Sequence, residues 1–555
     1  MATSPATSLR CPASRPETFT VALYTTRPIT VRSPCTTVAP RLHLSCASQR
    51  CDGVYPVRFT ITSKGATTST WSLLALQASQ VSKPIKVDFI ATLAPSAWNH
   101  RIRSIATLEA LHDFPLARVT LGADYRTLNI IQATTPEAMA FRAALDLALL
   151  SHLHGAVSAP PGNIDFGGLA ANGLSSQVAQ QISLSGALLK SITGRSVEGP
   201  VLLSGSPSLT SITALAGAKV ADVILPEGDL SVAPSTTLNW GAPFHIQGAA
   251  AITAISTDSA LSTLVTDSSI EPGRRAALVL GTLAFLHFEA PNAPTSRSVV
   301  IEAPIASTPA AFITDFLRGF SHNPFVSLSS LTPTFTSTLI GTNGAPTTLS
   351  LAPSSSTSQW SSHNVSSLTT LIAQVGSYSQ AVTSSYVSNE LRVAVEKSEV
   401  VGEPDKRQRR IDAATNGLNK QLSSFSVDPS AITLAGPGTS LPIMLISRAN
   451  YTVTAVVHLI TDRLEFPKGK DVIITLDSPT KSLRVPTSSH QGSSLTLQVV
   501  VTTPDDQVTL ARAAIQVRIA GTSIVGYLLS LASLLVLATW WWRTYRRRSK
   551  GRHAR

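Results

Sequence analysis

The chain of 555 residues carries 44 Lys and Arg against 32 Asp and Glu, a formal net charge of +12, with 14% charged and 43% hydrophobic residues. At roughly 150 residues per domain this length excludes a single domain and predicts three or four units, each able to bury a core. The charge does not point to nucleic acid. Seven of the 44 basic residues lie in the last 13 positions, leaving 37 against 32 acidic groups over residues 1–542, whereas a nucleic-acid binder interleaves a basic stripe with aromatics on a folded domain.

In chain order, "MATSPATSLRCPASRPETFTVALYTT" shows no basic segment followed by 7–15 apolar residues, so no export signal is visible. All four cysteines (Cys11, Cys35, Cys46, Cys51) fall in the first 51 residues without a zinc-type spacing, which suits disulfides of undetermined pairing. Residues 52–79 alternate Val57, Phe59 and Ile61 with polar neighbours around a turn at Lys64-Gly65, a β-hairpin pattern. Residues 1–82 are therefore expected to form a partial β-sandwich.

From about residue 84 short apolar runs alternate with helix-like segments. The strands are "IKVDFIATL" (85–93), "ARVTLGA" (117–123), "GAVSAP" (155–160), "GPVLLSG" (199–205), "ADVILPEG" (221–228), "FHIQGAA" (244–250), "RSVVIEAP" (297–304) and "PFVSLSSL" (324–331). Such alternation predicts βαβ units and a (β/α) barrel-like domain over 83–345. The run "AALVLGTLAFLHF" (276–288) is a largely apolar stretch of 13 residues between Arg275 and Glu289, the length of a buried helix. Residues 346–424 read as a Ser/Thr-rich and helical connector, with "KRQRR" (406–410) as a solvated helix face or linker. Residues 425–520 show strands every 8–14 residues with turn signals, predicting an immunoglobulin-like β-sandwich without a Cys-Trp-Cys core. The fold class is thus α/β plus all-β.

Residues 523–542 hold no charge and are rich in Leu, Val, Ile and Ala. A helix of this length reaches about 30 Å, enough to cross a bilayer. Trp540, Trp541, Trp542 and Tyr545 read as interface anchors, and Arg543, Arg546, Arg547 and Arg548 as a positive-inside stop within a cytoplasmic tail, 543–555. The expectation is a single-pass cell-membrane protein, partnered with the lipid bilayer and with its bulk extracytoplasmic. An exported bulk conflicts with the missing signal; the expectation favours a shortened start over the other way out, a tail-anchored protein with its bulk in the cytosol.

Several phrases resemble a family of uncharacterised actinobacterial membrane proteins whose genes lie beside that of the peptidoglycan lipid-precursor flippase. They are "CDGVYPVRFTI" (51–61), "VTLGAD" (119–124), "ADVILPEGDL" (221–230), "LGTLAFLHFEAPNAPTSRSVVIEAP" (280–304), "NPFVSLSSL" (323–331) and "LPIMLISRANYTVTAVVHL" (441–459). The resemblance implies a cell-envelope protein, with cell-wall glycan or the flippase machinery as partners.

Barrel enzymes carry their chemistry at the C-terminal strand ends. Three acidic positions qualify, Asp124 after "VTLGA", Asp165 after "GAVSAPPGNI", and Glu227 or Asp229 after "VILP", with Asp124 and Asp165 as the expected pair. Two such carboxylates about 5–10 Å apart could serve glycoside hydrolysis. The strand end at 199–205 offers only Ser204, and His152 and His154 fall at a helix C-terminus without a third ligand nearby. No cofactor or metal signature is present. The preferred expectation is a non-catalytic scaffold or binding module in cell-wall assembly. The alternative is a carbohydrate-active hydrolase or deacetylase-like enzyme acting through barrel-mouth carboxylates.

Overall fold

In the computed structural model, described residues are 53–63, 66–76, 83–197, 199–231, 241–291, 297–321, 323–335, 347–353, 358–434, 439–488, 494–519 and 524–549, with four short strands before residue 47. Cys11, Cys35 and Cys51 lie outside them, and of Cys46 only the backbone is described. The chain forms two compact units: Met1–Val365 with Glu399–Arg407, and Ser366–Ser398 with Gln408–Arg555.

The first unit opens with β1 (Thr7–Leu9), β2 (Thr18–Leu23), β3 (Ile29–Arg32), β4 (His43–Cys46), β5 (Gly53–Ser63) and β6 (Ala66–Leu76). β1, β2, β5 and β6 form one antiparallel sheet, while β3 pairs with β4.

Ten further strands share the second sheet: β7 (Ile85–Leu93), β8 (Val119–Ala123), β9 (Gly155–Ser158), β10 (Val201–Leu202), β11 (Asp222–Pro226), β12 (Phe244–Ile246), β13 (Ala249–Thr257), β14 (Ser298–Pro304), β15 (Val326–Leu328) and β16 (Thr348–Leu349). The helices between them are α1 (Pro95–Asn99), α2 (Arg101–His112), α3 (Tyr125–Ile131), α4 (Pro136–Ala148), α5 (Phe166–Ala171), α6 (Ser175–Thr193), α7 (Leu209–Gly217), α8 (Ser259–Thr266), α9 (Pro272–Glu289), α10 (Ala310–Arg318) and α11 (Leu331–Phe335).

Seven strands run parallel in the order β14-β7-β8-β9-β10-β11-β13. Their ends meet at the top, where the Asp258 amide donates to the Val300 carbonyl at 2.8 Å. Lower down, β12 pairs antiparallel with β13 and β15 pairs with β7. The ring is therefore a distorted seven-stranded barrel with extra strands at its base.

Strand alternation fills its interior. Ile90, Val157, Ala159, Leu202, Ile224, Ile255 and Val300 form one buried cluster, joined from below by Leu331 of α11 and flanked by Phe335. β8 supplies Gly122 at this level. A Cβ there would stand 2.8 Å from Leu202 Cδ2, so a side chain at this position would push the leucine aside. Thr334 of α11 donates to Asp88 at 2.5 Å and ties this plug to the barrel wall.

The second unit contains most of α12 (Ser362–Ala381), α13 (Ser385–Ser398) and most of α14 (Pro404–Leu422). Its strands are β17 (Phe425–Val427), β18 (Ile432–Leu434), β19 (Ser440–Ser447), β20 (Val453–Ile460), β21 (Asp471–Leu476), β22 (Thr480–Pro486), β23 (Ser494–Thr502) and β24 (Thr509–Ile519). They make a three-stranded sheet, β17-β19-β22, and a five-stranded sheet, β18-β24-β23-β20-β21. Alternate residues are buried along β19 and the first half of β23, as in strands with one face on a core.

The membrane-spanning helix expected over 523–542 is corrected. That segment belongs to one 26-residue helix, α15 (Ile524–Ser549), which runs through the three tryptophans into the arginines. Among the described residues no helix is long and apolar enough to cross a membrane. Ser530, Ser533 and Thr539 interrupt the apolar run of α15, and the arginines from Arg543 end it. The single-pass membrane reading falls with the span. Trp540, Trp541, Trp542, Arg543, Tyr545 and Arg546 are exposed on this helix, while the side chains of Arg547 and Arg548 are not described.

Candidate active site at the barrel mouth

The layer above the buried cluster lines the C-terminal mouth. Two residues on from Ile90 and Val300, on the same faces, stand Thr92 and Glu302. Thr92 Oγ1 donates to Glu302 Oε1 at 3.3 Å, and the Glu302 amide donates to Ser262 Oγ at 3.0 Å. Burial pushes the Glu302 carboxyl above the usual glutamate range, and the Thr92 hydrogen bond only partly opposes it. Glu302 thus holds its proton to higher pH than a solvated glutamate.

The rim beside it is acidic. Asp258 caps α8 through the Leu261 amide at 2.8 Å, and Glu227 accepts from the Ser259 amide at 3.1 Å. Burial raises Asp258, and the Glu227 charge adds to the rise. Asp229 is buried, accepts from Ser206 Oγ at 2.8 Å through Oδ1, and leaves Oδ2 without a hydrogen-bond partner. Burial raises Asp229 too, with the Ser206 bond opposing.

The other two expected carboxylates are committed to structure. Asp124 caps α3 through the Arg126 amide at 2.8 Å and pairs with the Arg126 guanidinium at 3.1 Å. Burial raises its carboxyl in spite of Arg126. By strand register Asp124 stands level with the residue after Leu93, whereas Glu302 is level with Ile90. That offset of four residues is about 13 Å along the strands, so the two face the same interior at different heights. Asp165 caps α5 and accepts from Trp360 Nε1 at 2.7 Å, from Ser358 Oγ and from Arg407 at 3.5 Å.

Arg407 belongs to the "KRQRR" run expected to be solvated, and it is fully buried instead. Its guanidinium lies 3.7 Å from the Trp360 ring centroid. The segment Glu399–Arg407 forms a strap beside the mouth: Ile164 bridges Val400, and the Val401 amide donates to Asn163 at 2.8 Å. Glu399, also fully buried, accepts from Gln181, and burial pushes its carboxyl up to about 8. At Gly162 a Cβ would fall 1.3 Å from the Ser204 carbonyl oxygen, so the loops after β9 and β10 touch backbone to backbone. Ser204 itself is exposed.

His152 and His154 do not act as a pair. His154 is buried between the carbonyls of Ala148 and Phe114, and His152 is exposed. Among the described residues no group of three or more His, Cys, Asp and Glu is placed to hold a metal ion. The sequence reading missed Glu302, Thr92 and Asp258. Its signal was available in "IEAP", where alternation from the buried Val300 puts Glu302 inside the barrel.

No protein-family model matches the chain, and no curated protein matches it. Among solved structures the chain is similar to the α-amylase AmyC from Thermotoga maritima, at 11% identity and TM-score 0.38 over 62% of this chain and 94% of that one. It is also similar to a 4-α-glucanotransferase from Thermococcus litoralis, at 13% identity and TM-score 0.41 over 77% and 68%. A third is a family 4 carbohydrate esterase from Streptomyces lividans, at 11% identity and TM-score 0.25 over 49% and 100%. These structural neighbours are carbohydrate-active enzymes, at identities and scores too low to argue for this chain's activity.

Proposed function

We propose that the first unit is a carbohydrate-active hydrolase working at the barrel mouth, with Glu302 as proton donor and Asp229 as the second carboxyl. The observation that carries this reading is Glu302: an inward, half-buried carboxyl at a C-terminal strand end, fixed by Thr92, whose hold on its proton burial strengthens. Such a group can protonate the oxygen of a departing sugar or alcohol. Asp229 offers an unpartnered buried oxygen on the neighbouring rim. The hydroxyls of Thr92, Ser204 and Ser206 suit a ligand rich in hydroxyl groups. Cell-wall glycan as substrate, the flippase machinery as partner and an extracytoplasmic envelope location belong to the same proposal, resting on the resemblance of the sequence.

A second reading, glycan binding without turnover, is favoured by one observation. Asp124 and Asp165, two of the four strand-end carboxylates expected from the sequence, are consumed by helix caps and arginine partners. The two readings separate when the full chain is incubated with soluble cell-wall glycan and N-acetylglucosamine oligosaccharides, following reducing ends and released acetate. Turnover that falls on the order of 100-fold in both Glu302→Gln and Asp229→Asn, with binding kept, supports the hydrolase. Binding with no turnover in the wild type supports the second reading, and neither binding nor turnover overturns both.

A further inference from the structure

In the second unit, His458 on β20 stands between two carboxylates. Nδ1 lies 2.7 Å from Asp471 Oδ1 at the start of β21, and Nε2 lies 2.8 Å from Asp506 Oδ1 in the turn between β23 and β24. Thr502 Oγ1 is 2.9 Å from Nε2 and donates to Asp506 Oδ1 at 2.7 Å.

The protons decide the state of the ring. An ionised carboxylate only accepts, so both ring nitrogens must donate, and only an imidazolium does so. A neutral ring would set a lone pair against a carboxylate oxygen at one end. Nδ1–H would keep Asp471, and Nε2 would turn acceptor for the Thr502 hydroxyl, leaving Asp506 with neither donor. Loss of one proton therefore opens the clip on the Asp506 side.

Asp506 has φ +60°, in the left-handed region that aspartate enters more readily than most residues with a side chain. The same turn carries Asp505, which accepts from Ser377 of α12 at 2.6 Å and from Thr503 at 2.7 Å, so the turn also holds the end of α12.

We propose that His458 is a proton-operated clip that fixes the β23–β24 turn, and with it the α12 contact, and releases both when the ring is neutral. The charged groups on the elements around it are Lys470 and Asp471 on the β21 side, Asp505 and Asp506 in the turn, and Arg512 on β24, in the same cross-strand row through Val500. β23 itself carries no charge. Partial burial pulls the histidine down, and the bonds to Asp471 and Asp506 outweigh it, leaving it above the ordinary value. The stabilisation is therefore complete below an ordinary histidine value of about 6.5 and is lost as pH rises through the higher folded value.

The test uses the full chain with labelled histidines. His458 should titrate above the ordinary histidine value, and Asp506→Asn should lower that midpoint. Intrinsically corrected hydrogen exchange at Asp506, Gln507 and Val508 should speed up on the order of five-fold as pH passes the midpoint, the size of one exposed ion pair. In His458→Gln the same amides should show no pH step. A midpoint at or below the ordinary value, or turn protection independent of pH in the wild type, overturns the proposal. Asp506→Asn gives the same decision should His458→Gln not fold.

Discussion

Thr92 on β7 donates to Glu302 on β14 at 3.3 Å, joining two adjacent strands just above the layer that fills the barrel. The bond favours the charged form of a carboxyl that burial pushes the other way. Thr92→Val removes that bond and keeps the shape. The Glu302 titration midpoint, read by carboxyl carbon NMR, should rise. A fall would show that Thr92 accepts from Glu302 instead.

Asp88 is buried beneath that layer, and burial pushes its carboxyl up to about 6 against the opposing Thr334 and Ser329 bonds and the Lys86 charge. The protonated form favours the fold. Its contribution is complete below the unfolded value of about 4 and is lost as pH rises through about 6, a span worth roughly 3 kcal/mol. Asp88→Asn should flatten this slope and leave the barrel more stable at pH 7.5 than the wild type. Denaturant unfolding of the barrel transition at pH 4.5 and 7.5 reads both effects.

Asp165 and Arg407 form a buried pair under the strap. Asp165→Ala leaves the Arg407 cation buried without its carboxylate and should cost about 3–5 kcal/mol. The double variant Asp165→Ala with Arg407→Met removes both charges and should recover part of that loss. Equal destabilisation in the two would show that the packing on Trp360, rather than the charge, holds the strap.

Two glycines should behave oppositely. Gly162→Ala drives a Cβ into the Ser204 carbonyl and should prevent the loops after β9 and β10 from meeting. Gly217→Ala, at the end of α7 with open space around it, should stabilise by about 0.5–1 kcal/mol. Thermal unfolding of the two variants checks the contrast.

The strands were legible where apolar residues crowd together. "IKVDFIATL" is β7 residue for residue, and "YTVTAVVHLIT" contains β20. The run "FHIQGAA" was not, since it reads as one strand. It holds β12, a turn at Gly248 with φ +84°, and the start of β13, whose Ala-rich sequence carries weak strand preference. The candidate site was half legible. Loop acids announce themselves by position, and Asp124, Asp165, Glu227 and Asp229 all sit at strand ends. Whether such an acid caps a helix or meets an arginine from 242 residues away, as Asp165 meets Arg407, is set by tertiary contact. Glu302 was hidden because it lies inside a strand, where only its register against Val300 shows which way it faces. The apolar C-terminal run misled most, because composition marked a span that no helix among the described residues is long and apolar enough to make.

The central claim is that Glu302 supplies the proton for hydrolysis at the barrel mouth, and single-turnover cleavage of a bound oligosaccharide tests it most directly. Glu302→Gln keeps the shape and a hydrogen-bond acceptor for Thr92 but has no acidic proton. It should bind as the wild type does and cleave on the order of 100-fold more slowly, with its loss smallest on substrates whose leaving group needs no protonation. Cleavage by Glu302→Gln at the wild-type rate would contradict the account.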